Sequence, residues 1–178
     1  MRCIYSVRAG SFARGVDTLA EIRLYDLGLF VHVAAVVVAF GPTFAYPFFQ
    51  ATVERLSPRS VPAMFSAMHA SSRYLVAPGL LVVLASGVYL TIEGWDFDEP
   101  FVLVGLSIVV ALIILGPTFF DRHEARLIEL SERDVRSVGA GEIQLSEEYW
   151  RVSKRFSRVG AAASVLVVVA LFFMTVKP

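Results

Sequence analysis

The chain alternates long apolar runs with shorter charged segments. Four runs have no Asp, Glu, Lys or Arg in their central portions, and they cover about residues 24–49, 74–92, 101–120 and 159–176. A helix needs about 17–25 predominantly apolar residues to cross about 30 Å of hydrocarbon. The pattern therefore predicts an all-α, polytopic membrane protein with four transmembrane helices.

Composition favours a membrane protein over a soluble fold. Of the 178 residues, 56% are hydrophobic and 18% are charged, whereas soluble domains carry about 25% charged residues. A soluble bundle of four buried helices would have too little polar surface to cover them. The formal net charge is zero, so we expect the lipid bilayer as a partner and no nucleic acid.

The sequence contains no familiar catalytic motif that would indicate a reaction. The sequence has no nucleotide-binding glycine loop, no zincin motif and no Ser or Cys nucleophile with a spaced base and acid. Its single cysteine, Cys3, excludes an intrachain disulfide. The spans hold no central Asp or Glu, which argues against an ion-coupled transporter. The sequence leaves open whether the protein is an enzyme.

The segments outside the runs divide into a tail and two extensions. Residues 1–23 mix basic and polar side chains without apolar periodicity, and we take them as an N-terminal tail with a composition compatible with disorder. The first run is too long for the core of a signal peptide. Residues 24–178 form the predicted four-helix membrane domain. Polar helical patterns at 53–73 and 121–156 predict helical extensions on the spans.

The distribution of basic residues predicts the orientation. Loops 50–73 and 121–158 together contain eleven Lys and Arg residues, whereas the termini and the loop at 94–100 contain five. Cytoplasmic loops carry the excess of basic residues. We therefore expect a multi-pass protein of the bacterial plasma membrane with both termini outside and the two long loops in the cytoplasm.

A four-residue motif occurs at equivalent places in two spans. Gly41-Pro42-Thr43-Phe44 in span one recurs as Gly116-Pro117-Thr118-Phe119 in span three, and a short polar segment follows each copy. The repeat predicts a four-helix bundle built as two helical hairpins in the same orientation, as in membrane proteins with parallel repeats.

The same motif predicts kinks. Pro42, Pro117 and also Pro78 in span two each remove a backbone hydrogen bond. In lipid the freed carbonyl needs a new partner, which the Thr43 and Thr118 hydroxyls could provide. Two interpretations stay open: kinks that serve packing, or breaks that line a site.

His32 is the ionisable residue that lies well inside a span. Gly28, Ala35, Ala39 and Thr43 share its helical face, and such a small-residue face packs against other helices. We expect Ser86 and Ser107 at a similar depth, so His32, Ser86 and Ser107 form a predicted polar spot. One interpretation is a neutral histidine bonded to a serine or carbonyl. The other is a haem or copper ligand, which a neutral imidazole suits.

The other histidines cannot complete a site with His32. His69 and His123 lie at the cytoplasmic interface, and their depth should differ from that of His32 by roughly 20 Å. His69 and His123 could approach each other and share a metal ion. If haem or copper binds inside the spans, His32 is therefore the predicted ligand.

The segment LFVHVAAVVVAFGPTF, the later SGVYL and the final Met174-Thr-Val-Lys177-Pro178 resemble a family of predicted four-helix bacterial integral membrane proteins of unknown function. That family is akin to the copper-resistance protein D membrane domain and to membrane protoporphyrinogen oxidases of the J type. The resemblance places their span-one histidine at His32. It implies a haem and work on porphyrinogen in the oxidase relatives. This chain departs from those relatives, because no lysine lies in span two or three to match their second key residue.

The sequence thus supports a ranked set of functions. The first is a small polytopic plasma-membrane protein of uncharacterised role with a single intramembrane histidine. The alternatives are a haem-dependent membrane oxidoreductase of the protoporphyrinogen oxidase type and a copper or other metal-ion permease. A homodimer or a membrane-protein partner would fit a bundle of this size.

Overall fold

In a computed structural model, the backbone is described for residues 9–139 and 141–176, and the side chains from residue 24 onwards within these ranges. All regular secondary structure in this part of the chain is helical, in six α-helices: α1 (Ala9–Leu56), α2 (Val61–Ser71), α3 (Ala77–Gly94), α4 (Pro100–Leu115), α5 (Asp121–Val138) and α6 (Glu147–Val176). A short 3-10 turn, Pro58–Ser60, precedes α2.

Two π-helical turns join these helices into longer rods. Ser72–Val76 links α2 to α3, and Gly116–Phe120 links α4 to α5. The described residues therefore form four rods, each long and apolar enough to cross a membrane. Only 6% to 28% of the most apolar window of each rod is buried inside the protein. The remaining apolar surface would be unfavourable in water, so the protein is an integral membrane protein with four spans.

The spans pack through small residues. α1 lies along α3, and Ala35 and Ala39 are buried between them. A Cβ atom at Gly79 would lie 2.9 Å from the Ala39 Cβ, so only glycine permits this approach. The small-residue face that was predicted on span one is thus a contact face between helices. α4 lies against α6.

Beyond the spans, α2 packs against α5 and covers a second core. Its buried members are aliphatic and aromatic side chains from three helices: Val61, Phe65, Met68, Leu127, Leu130, Tyr149 and Phe156. Helices therefore occupy most of the two segments for which extensions were predicted. We call this end of the bundle the extension side, and the end with the short connection at residues 95–99 the loop side.

The proline motifs behave differently in the two copies. Pro42 lies inside α1, whose helix continues past it, whereas Pro117 lies in a π-helical turn. Pro78 follows the other π-helical turn, in the first turn of α3. Gly41 and Gly116 both have open space where a Cβ atom would lie. The duplication stays a prediction, because the local structure of its two copies differs.

The threonines do not bond the carbonyls that the prolines free. The Thr43 hydroxyl donates to the Phe40 carbonyl at 2.7 Å, and the Thr118 hydroxyl donates to the Ile114 carbonyl at 2.6 Å. In a regular α-helix the carbonyls that lose their amide partner are four residues before each proline, here at residues 38 and 113. A helical threonine reaches back only three or four residues, which corrects the expected pairing.

The predicted N-terminal tail is only partly described. Helical backbone begins at Ala9, and residues 1–8 lie outside the described residues. The division into a tail and a membrane domain at residue 24 therefore stays a prediction. Lys177 and Pro178, on which the family resemblance partly rests, also lie outside the described part.

Candidate functional site

A chamber of about 560 Å³ lies between the rods on the loop side. Most of its lining is aliphatic or aromatic, including Phe40, Trp95 and Phe101, and His32 also lines it. The chamber is therefore an apolar space with one imidazole at its wall. This combination is typical of small-molecule and cofactor sites, in which few polar groups orient the ligand.

The His32 imidazole is held by α3. Its Nδ1 lies 3.0 Å from the Ser86 hydroxyl, and the residue is only 7% exposed. The Ser86 hydroxyl lies 2.6 Å from the Val82 carbonyl, which can only accept a hydrogen bond. Since Ser86 has one proton and gives it to Val82, it accepts the proton of Nδ1. The ring is then the Nδ1–H tautomer, and Nε2 keeps a lone pair.

Close approach between α1 and α3 creates this contact. A Cβ atom at Gly87 would lie 3.3 Å from the His32 Cε1 atom, tighter than most real contacts. Glycine therefore lets the ring lie against the α3 backbone. Of the predicted polar spot, the structure brings His32 and Ser86 together. It places Ser107 on an exposed face of α4, because the helical rotation of span three turns that position away from the chamber.

A second chamber of about 350 Å³ lies on the extension side. Its lining is more varied, and it includes the polar side chains of Tyr46, Gln50, Asp121 and Glu124. Phe40 and Val167 line both chambers. They belong to a buried apolar cluster that contributes to the walls of both spaces.

Glu124 is the most deeply buried acidic side chain of the described residues, at 2% exposure. Its carboxylate oxygens lie 3.0 Å from His69 Nδ1 and 3.1 Å from the Ser72 hydroxyl. Burial raises the pKa of the Glu124 carboxyl, and the bonds from His69 and Ser72 partly oppose this. The carboxylate thus links α5 to α2 beyond the end of the span.

Sequence reasoning missed Glu124 because it lies in a segment rich in charge. A signal was present, since Glu124, Leu127 and Ser131 follow the spacing of one helical face and all are buried. His123, by contrast, contacts a residue of its own rod. Its Nδ1 lies 2.8 Å from the Phe119 carbonyl, and its ring stacks on the Phe119 ring.

A third polar cluster ties α1 to α6. One carboxylate oxygen of Glu54 accepts hydrogen bonds from Tyr149 at 2.6 Å, Ser153 at 3.0 Å and Gln50 at 3.0 Å. Gln50 also donates to the Ser153 hydroxyl at 2.8 Å. Every donor in this group is matched to an acceptor, which is typical of a network that fixes the relative position of two helices.

Residues 27–178 match the model of a family described as "Predicted integral membrane protein (DUF2269)". The match includes all of the described helices from α2 to α6 and most of the span of α1, together with His32 and Glu124. No curated protein and no solved structure matches the chain. The four membrane-crossing rods agree with the family description. The chain therefore belongs to the DUF2269 family of integral membrane proteins.

Proposed function

We propose that this membrane protein binds a flat apolar cofactor with a metal centre, of the haem type, in the loop-side chamber. His32 would be its axial ligand. The observation that carries the proposal is the His32–Ser86–Val82 chain of hydrogen bonds, which leaves Nε2 with a lone pair on a side chain that lines an apolar cavity.

Metal-binding histidines have this arrangement. The second ring nitrogen donates a hydrogen bond to a neighbouring group, which fixes the tautomer and the orientation of the ring. Haem iron commonly takes one histidine as its axial ligand, and an apolar pocket excludes competing water. Ser86 would therefore orient His32, and the aliphatic and aromatic wall would hold the ring system.

Two alternative functions follow from the sequence. A haem-dependent oxidoreductase of the protoporphyrinogen oxidase type would use the same ligand, and a copper or metal-ion permease would use the two chambers in succession. The relation to the copper-resistance protein D and protoporphyrinogen oxidase J types is part of this proposal. Haem binding is the function that the geometry of His32 favours, because Ser86 holds the ring at an otherwise apolar cavity.

Purified protein tests the proposal directly. The chain, isolated in detergent and incubated with haem, should develop a Soret band that saturates near one haem per chain. His32→Ala should abolish this band, because the metal loses its protein ligand. Ser86→Ala should weaken haem binding about 10- to 100-fold, which is the usual effect of losing a hydrogen-bond partner of a ligand.

His123→Ala is the matched control, since its imidazole bonds the Phe119 carbonyl and lies outside the chamber. It should bind haem like the parent protein. An equal Soret band in His32→Ala and the parent would refute His32 as the ligand. A colourless parent that retains copper in elemental analysis would favour the metal-ion alternative, and oxygen uptake with protoporphyrinogen would favour the oxidoreductase.

We also propose the orientation that the basic residues predict. Both termini and the loop side would face outside, and the extension side would face the cytoplasm of a bacterium. Cysteines placed at Asp98 and Glu132 in a Cys3→Ser background test this with a membrane-impermeant thiol reagent on whole cells. Labelling only at Asp98 supports the orientation, and labelling only at Glu132 reverses it. A homodimer is a further part of the proposal, and crosslinking in membranes would detect it.

A further inference from the structure

Three metal-ligating side chains converge at the extension side, away from His32. One ligand atom each from His69, Asp121 and Glu124 lies within 4.8 Å of the others. His69 belongs to α2, whereas the two carboxylates belong to α5 and are one helical turn apart. The geometry brings together an imidazole and two carboxylates, which is a common ligand set for metal ions.

No Lys or Arg of the described residues balances the charge of Glu124. Among residues 24–139 and 141–176, no Lys or Arg nitrogen lies within 4.0 Å of its carboxylate, and His69 is its only ion-pair partner. Buried carboxylates are normally paired with a cation or coordinate a metal. A metal cation at this position would therefore balance the charge of the Glu124 carboxylate, which no described Lys or Arg balances.

Tyr46 gives a second, independent indication. Its hydroxyl is fully buried and forms no hydrogen bond of good geometry with the described residues, and Ser71 is the side chain that interacts with it. The hydroxyl lies near Ser71 and within the electrostatic influence of Glu124. Buried hydroxyls are almost always bonded, so a hydroxyl from α1 without a well-formed bond has room for a further partner beside the cluster.

The two carboxylates of the cluster also have access and space. Asp121, Glu124 and Tyr46 all line the extension-side chamber of about 350 Å³. That volume accommodates an ion together with water molecules that complete its coordination. The ligand set contains nitrogen and oxygen but no thiolate, which suits Zn²⁺, Mn²⁺ or Fe²⁺ better than Cu⁺.

We propose that His69, Asp121 and Glu124 bind a divalent first-row metal ion, with the Tyr46 hydroxyl beside it. The ion would connect α1, α2 and α5 next to the π-helical turn Ser72–Val76. This site is distinct from the His32 chamber, and its binding does not depend on haem.

Calorimetric titration with zinc chloride tests the site. The protein is purified with a tag that contains no histidine, treated with a chelator and held in detergent. We expect about one Zn²⁺ per chain and a higher unfolding temperature when Zn²⁺ is added. Glu124→Gln should lower the affinity for Zn²⁺ at least about tenfold. Even the loss of a side chain that only hydrogen-bonds a metal ligand lowers metal affinity about 10- to 100-fold. Tyr46→Phe should lower it by a smaller factor.

Glu129→Gln is the control, since Glu129 lies on the same helix, is 67% exposed and pairs with Arg126. It should bind Zn²⁺ like the parent. If Glu124→Gln does not fold, His69→Gln gives the same test at a less buried position. Absence of Zn²⁺ uptake by the parent, or equal affinity of the Glu124 and Glu129 variants, would overturn the proposal. His32→Ala should leave Zn²⁺ binding unchanged, which separates this site from the haem proposal.

Discussion

The hydrogen bond between Tyr149 and Glu54 should make a large contribution to the stability of the extension side. Tyr149 is completely buried, and its hydroxyl donates to Glu54 at 2.6 Å. Burial, with the nearby Glu54 carboxylate, raises the pKa of the Tyr149 phenol, which keeps it protonated as a donor. Tyr149→Phe removes only the hydroxyl, because the ring keeps its edge-to-face contact with Phe65.

The magnitude follows from the charge of the acceptor. A hydrogen bond to a charged group contributes about 1.5–3 kcal/mol, against about 0.5–1.5 kcal/mol for a neutral pair. Tyr149→Phe should therefore lower the free energy of unfolding by about 1.5–3 kcal/mol. That corresponds to about a 10- to 140-fold change in the unfolding equilibrium, at about 1.4 kcal/mol per factor of ten. In a Glu54→Gln background the same substitution should cost only the neutral value.

Equilibrium unfolding in mixed detergent micelles measures both quantities. Tyr74→Phe is the control, because Tyr74 is 73% exposed and its hydroxyl should contribute little. A loss below about 0.5 kcal/mol for Tyr149→Phe would refute the reasoning, since that is less than a neutral hydrogen bond contributes. An equal loss with and without Glu54→Gln would also refute it, because the charge of Glu54 would then not matter.

Two further predictions concern helix packing and pH. Gly79→Ala should lower the free energy of unfolding by about 1–3 kcal/mol, the usual cost of overpacking, because its Cβ would lie 2.9 Å from that of Ala39. Gly41→Ala is the control and should cause no such loss, because the space at its Cβ position is open. The unfolding assay compares the two variants. Hydrogen bonding from Arg126 lowers the pKa of Glu148 below its ordinary 4.5. The stability from this pair is present above pH 4.5 and is lost as the pH falls through the lowered pKa. The free energy of unfolding should therefore fall less steeply towards acid pH in Glu148→Gln than in the parent. Identical pH profiles would contradict the assignment.

Much of the fold follows from local sequence. The four rods form where apolar runs exceed the thickness of a bilayer, because the free energy of insertion depends on the residues of each run and hardly on their neighbours. The start of α6 is local too: Ser146 accepts a hydrogen bond from the Tyr149 amide, as expected for an N-cap. The sequence predicted His32 on a face that turns towards the bundle and Ser86 at a similar depth, and the two side chains are in contact.

Other features depend on how the helices rotate and meet. Ser107 has a suitable depth but an unsuitable rotation, which depth alone does not reveal. The π-helical turn at Pro117 has no equivalent at Pro42, although the two motifs are identical in four residues. The packing around each copy therefore decides its backbone, since the energy difference between an α-helical and a π-helical turn is modest relative to tertiary contacts.

The sequence by itself determined that the protein crosses the membrane four times and carries one histidine inside a span, because composition and length decide insertion. Only the tertiary structure decided the surroundings of Glu124. Its partner His69 is 55 residues away, and the neighbouring Tyr46 comes from a third helix. Such convergence depends on the positions of separate helices, which no local pattern encodes. That is the physical reason why a buried acid in a charged segment looked like ordinary surface.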